Sequence, residues 1–200
     1  MNIFILDQDP VIAANMMCDK HVVKMIVESC QLLSTAHRVL DGKKVDGKNK
    51  KGGKYTRYHM DDSYLDNFLF KSTMINHPCS IWIRETTRNY YWLSKHNIAL
   101  CNEYTQRYSK IHKCQQLTDW LFIHPPIQIT LSNRTDFAQA MPEGYKSSNA
   151  VEAYRNYYCN EKSKFAKWKK GNTPLWYTEF HSRDWSKYGK NLKELNETTY

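Results

Sequence analysis

Apolar residues recur at helical spacing between Asp19 and Leu40, where Val22, Val23, Met25, Ile26, Cys30, Leu33 and Ala36 form one side of a predicted helix. The same 3.6-residue period gathers His21, Lys24, Glu28 and Gln31 on another face, so a polar stripe runs beside the buried one and His21 and Glu28 are expected to line a cleft. Upstream, Ile3 to Leu6 reads as a short extended entry. Asp9-Pro10 then supplies an N-cap with proline at the first helical position. A break near Asp19 separates this first helix from the long one, which Asp41-Gly42 ends.

Residues 41–58 hold seven basic side chains, two acidic ones and four glycines without hydrophobic period, which predicts a mobile basic loop. Asn76-His77-Pro78 opens the third helix, long and aromatic-rich, expected to run to about Tyr108. From Leu117 to Met141, Pro125-Pro126 and the β-branched run after it predict irregular chain with a short strand. Asn149 and Glu152 resemble a capping box for a helix through about Trp168. The expected architecture is all-α: one compact domain over 1–182, three to four main helices joined by long irregular connections, and a tail at 183–200.

Composition narrows the partners. With 29 Lys and Arg against 20 Asp and Glu the chain carries a formal charge of +9, which suits a polyanion such as duplex DNA or a nucleotide. Six cysteines without any C-x-x-C pair read as reduced thiols in an intracellular, cytoplasmic protein. No apolar run reaches the roughly 18 residues that a membrane span needs, and a monomer is expected. Arg155, Lys162, Lys164, Lys167 and Lys169 lie among aromatic residues and lead to Pro174-Leu175-Trp176-Tyr177, a combination suited to neutralising phosphates and stacking on bases. His77, His112 and His124 lack metal-ligand spacing, Asp7, Asp9 and Asp19 form no completed carboxylate site, and no phosphate loop, dinucleotide fingerprint or nucleophile elbow occurs. Neither a metal nor a cofactor is expected.

Four segments in order resemble the bacteriophage-type pyrimidine-dimer DNA glycosylases, the endonuclease V family. Asp19-Lys20-His21 with Glu28 seven residues after the histidine is similar to that family's Asp-Gln-His and catalytic glutamate. His37-Arg38 followed by Gly42-Lys43 resembles its basic pair and Gly-Lys turn, and Arg84 to Tyr104 its central helix. Met141-Pro142-Glu143-Gly144-Tyr145, a basic helix, and the Pro-x-Trp-Tyr end complete the series. The resemblance implies a DNA glycosylase with strand-nicking (AP lyase) activity on damaged or modified pyrimidines. It also implies DNA contacts at Gln31, His37, Arg38, Lys43, Trp176 and Tyr177, with Val27 and Gln31 standing where family members carry arginines.

The chemistry so implied is attack of an N-terminal α-amine on C1′, followed by imine formation and β-elimination, with Glu28 stabilising the cationic sugar and His21 positioning or shuttling a proton. An α-amine, with an ordinary pKa of about 8, keeps a neutral fraction near pH 7 that a lysine does not. Asn2 is too large for removal of Met1, so Met1 itself is the candidate nucleophile, provided Asn2 to Leu6 fold back into the cleft. Lys24 is the alternative if burial favours its neutral form; activated water is a third. Two other classes stay open: a hydrolase or transferase of free nucleotides in the same cleft, and a non-enzymatic nucleic-acid or nucleotide binder.

Overall fold

The computed structural model describes residues 1–48 and 50–182; the tail expected at 183–200 lies outside the described residues. It is mostly helical, as expected, but with eight α-helices rather than three or four, and it adds a two-stranded sheet. In chain order the elements are α1 (Pro10–Asn15), α2 (Asp19–Asp41), β1 (Lys43–Lys48), β2 (Lys54–His59), α3 (Ser63–Phe68), α4 (Pro78–Glu85), α5 (Thr87–Tyr108), α6 (Gln115–Ile123), α7 (Ala150–Tyr157) and α8 (Leu175–Ser182). A π-helical turn at Tyr158–Lys162 follows α7.

Helix α2 is the spine. It packs against α4, α5 and α6, and α1 lies along α5. Met25, Ile26, Cys30, Leu32, Leu33 and Ala36 are fully buried against Trp82, Tyr90, Leu93, Leu100 and Leu121, whereas Val23 faces solvent. At the centre, Asn97 Nδ2 donates to Cys30 Sγ and Thr118 Oγ1, so α2, α5 and α6 are tied by a polar knot within apolar packing, with Asn97 Oδ1 left unpaired. All six cysteines are unpaired and buried.

Caps fall where the sequence puts them. Asp9 accepts from the amides of Val11 and Ile12, His77 from that of Cys79, and Asn149 from those of Val151 and Glu152. Thr86 supplies the unexpected one. Its extended backbone and its hydroxyl, accepting from Asn89 N, split the expected long helix into α4 and α5. The basic region after α2 is a hairpin, with Lys43 opposite His59 and Lys48 opposite Lys54. Gly42 is required at its entry, because a Cβ there would meet the Arg38 carbonyl at 2.5 Å and that of His59 at 2.9 Å. The Leu117–Met141 region begins inside α6, and among the described residues it contains no strand. Its extended part is tied down by Asp41, whose carboxylate accepts from the amides of Ile127 and Gln128 at 2.9 Å each. The α-helix expected to reach Trp168 stops at Tyr157 and widens into the π-turn, which carries Tyr158 into the core.

Candidate active site

His21, Lys24, Glu28, Gln31, Thr35 and Arg38 recur three and four residues apart and form one stripe along α2. Two extended segments cover it. The first is the N-terminal run, which crosses the His21–Glu28 half: the Asn2 amide donates to Glu28 Oε2 at 3.1 Å, and the Phe4 ring stacks on His21 with centroids 4.5 Å apart. Asn2 holds this run in place. Its Nδ2 donates to the Ala140 carbonyl at 2.7 Å, and its Oδ1 accepts from the amides of Ile3 and Phe4. That Asx turn supports Phe4 in the left-handed region at φ 53°, a conformation non-glycine residues seldom keep without such support. Farther along, Arg155 donates to the Leu6 carbonyl and pairs with Asp7.

The second segment runs from Leu69 back to His77 over the other half of the stripe. Arg38 donates to the carbonyls of Leu69 and Phe70, and Thr35 Oγ1 accepts from Thr73 N at 3.2 Å. The segment ends at His77. There burial and the positive charge of the terminal amine push the imidazole toward its neutral form, opposed by the Glu28 carboxylate. The amine also acts on Cys79, whose thiol burial raises to about 12. The terminal amine, Glu28 and His77 thus share one electrostatic neighbourhood at the crossing of the two segments. Because His77 Nδ1 accepts from the Cys79 amide, Nε2 carries the proton of the neutral ring and is free to donate.

The catalytic candidates therefore occupy distinct environments. Glu28 is 14% exposed and pairs at 3.2 Å with Lys24, which is 68% exposed, so the burial on which a nucleophilic Lys24 depended is absent. His21, although on the same stripe, is 4% exposed and boxed by Phe4, Tyr158 and Phe165. Burial, with help from the charges of Lys162 and Lys24, lowers its pKa to about 3. A ring held neutral by burial accepts a proton only with difficulty at neutral pH.

The DNA-contact candidates divide more sharply. Arg38 is 2% exposed, and its five N–H groups are consumed by the carbonyls of Tyr58, Asp66, Leu69 and Phe70 and the Asp66 carboxylate. His37 is buried, bonds the Tyr90 hydroxyl at 2.9 Å and has its pKa lowered to about 4 by desolvation. Neither can reach a phosphate: both expectations are corrected, because the basic pair builds the interior. Arg155 is committed to Leu6 and Asp7. Trp176 and Tyr177 pack with Tyr158 and Trp168 in a half-buried aromatic cluster, and Trp176 Nε1 donates to Met16 Sδ. Lys164, Lys167 and Lys169 are exposed, Gln31 is half-buried at the stripe's midpoint, and Lys43 stands on the hairpin paired with Asp61. Among the described residues no three His, Cys, Asp or Glu side chains cluster as metal ligands.

Three residues of the site escape sequence reasoning. Asn2 is visible there only as a bulky second residue, His77 only as a helix cap. Lys162, which donates to the Tyr157 hydroxyl and lies over the Phe4 ring, shows only as helix-borne charge. Chemically, the arrangement offers an amine within one residue of a carboxylate, a neutral imidazole donor and an exposed basic rim. It can attack an electrophilic carbon and stabilise the cation that results. A family model described as pyrimidine dimer DNA glycosylase matches residues 1–116, which include the N-terminal run, all of α2, the hairpin and His77. No curated protein and no solved structure matches the chain.

Proposed function

The chain belongs to the pyrimidine dimer DNA glycosylase family, whose substrate is DNA, and on that premise we propose that it excises a damaged pyrimidine through the Met1 α-amine and then nicks the abasic strand. The neutral amine attacks C1′, forming the N–C1′ bond as the glycosidic bond breaks and its electron pair leaves with the base. His77 Nε2–H donates a hydrogen bond to the departing base, which takes up the proton that the amine nitrogen sheds on bonding to C1′, and the Glu28 carboxylate stabilises the cationic sugar. Loss of the second amine proton, as the C1′–O4′ bond breaks and the ring oxygen is protonated to a hydroxyl, gives an imine. Removal of a C2′ proton expels the 3′ phosphate, and water finally hydrolyses the imine to regenerate the amine. His21 acts by holding Phe4, and hence the N-terminal run, against α2. Lys164, Lys167 and Lys169 contact phosphates.

The observation that carries this reading is the hydrogen bond from Asn2 N to Glu28 Oε2, since it holds the α-amine one residue from the carboxylate. No helix among the described residues is long and apolar enough to cross a membrane, in keeping with access to DNA in solution. Borohydride trapping on lesion-bearing and abasic duplexes, followed by peptide mapping, tests it. An adduct on Met1 that survives Lys24→Arg and disappears on reductive methylation of the α-amine is expected. An adduct on Lys24, or none with any DNA, would refute the assignment.

A further inference from the structure

The hairpin has no part in the chemistry above, yet residues 43–59 hold seven basic side chains and one acidic, and so carry six of the chain's nine net positive charges. Both of its strands are exposed along nearly their whole length. A solubilising appendage needs no fixed attachment, but this one is held firmly. Arg38 donates to the Tyr58 carbonyl, Asp66 accepts from Met60 N and lies against His59, and the Tyr55 ring closes over Gly47 with Arg57 stacked on it at 4.6 Å. At the far end Lys48, Lys50 and Lys54 pair with no carboxylate among the described residues. The hairpin is also continuous with the candidate site, because the stripe that begins at His21 and Glu28 ends at Arg38, beneath the hairpin's base.

From this we infer that the hairpin is a second DNA-contact element, a rigid basic ribbon that grips the phosphates of the same duplex well away from the reacting nucleotide. Its dimensions fit. A two-stranded ribbon is what a major groove of about 12 Å admits. Ten residues of helix place the hairpin's base about 15 Å from Glu28. Strands of six residues add about 20 Å more. At about 3.4 Å per base pair the ribbon would meet phosphates from roughly four to ten pairs beyond the lesion, on one side only.

This inference rests on the proposed DNA-glycosylase reading, and its test separates the two. Affinity for a duplex of about 30 pairs carrying a non-cleavable abasic analogue is measured against salt for the wild type and for Lys48→Gln/Lys50→Gln/Lys54→Gln. Each lost phosphate contact contributes about 0.9 to the slope of log K against log salt, so the variant's slope should be shallower by up to about 2.7. Lys48→Arg/Lys50→Arg/Lys54→Arg should keep the wild-type slope, and Lys54→Gln alone, the mildest change, should lose about 0.9. On a duplex ending about three pairs either side of the analogue, out of the ribbon's reach, wild type and Gln variant should converge. An unchanged slope, the same deficit on the short duplex, or no salt-dependent binding by the wild type overturns the inference. Borohydride trapping of the wild type is scored separately: an adduct with no slope change defeats the ribbon alone, and a slope change with no adduct defeats the imine chemistry alone.

Discussion

His21→Phe separates the structural and chemical readings of the boxed imidazole. The ring stacks on Phe4, meets Tyr158 and Phe165 edge-on, and leaves Nδ1 without a partner, so phenylalanine reproduces its contacts without its titration. In the unfolded chain an imidazole titrates near 6.5, whereas the folded protein holds His21 at about 3. Between those values the unfolded state binds the additional proton, so stability is full above pH 6.5 and is lost as the pH falls. At pH 5 this costs about 2 kcal/mol for His21. Two further buried imidazoles behave alike. His37, at about 4, and His96, fully buried against Trp92 and at about 3, bring the loss to about 6 kcal/mol, comparable to the whole stability of many domains. Urea unfolding at pH 7 and pH 5, at constant ionic strength, should therefore show His21→Phe losing about 2 kcal/mol less than wild type over the interval. Parallel losses would mean that His21 is not held neutral by burial. The same variant should still form the borohydride adduct at neutral pH. A folded, DNA-binding His21→Phe that formed none would show that the imidazole moves protons after all.

Glu28→Gln should lower turnover by about a hundredfold or more while DNA affinity, measured by anisotropy, stays near wild type, because only the charge facing the cationic sugar is lost. Asn2→Leu, bulky enough to keep Met1 in place, should cost about 2–3 kcal/mol through the loss of the three side-chain hydrogen bonds of Asn2 and should slow adduct formation at saturating DNA, since the amine is no longer tethered; an unaltered rate would show that the Asx turn does not hold the nucleophile.

The elements legible in the sequence were those whose signals are local. The 3.6-residue period of α2, its stop at Gly42 and the caps at Asp9, His77 and Asn149 all act within a few residues. The hairpin was illegible because strands exposed on both faces carry no hydrophobic alternation, so Lys-rich chain looked like loop. Thr86 was missed as a break because threonine is tolerated inside helices and announces a cap only through its extended backbone. At the site, Glu28 was visible from spacing and the fold-back of Asn2 to Leu6 only as a condition. His37-Arg38 misled because the same basic pair can face phosphate or carbonyl oxygens, and the carbonyls that claim Arg38 lie 20 to 32 residues away. The approach of His77 to Glu28 likewise arises from long-range packing.

Arg38 also bears on how the molecule comes apart. Its guanidinium gathers carbonyls from β2, α3 and the chain entering the second covering segment, so none of these can lift away singly without leaving a buried cation short of acceptors. The stretch from Tyr58 to Phe70 is thereby made a single cooperative unit, opening all at once or not at all, and the hairpin mounted on it inherits that all-or-none attachment.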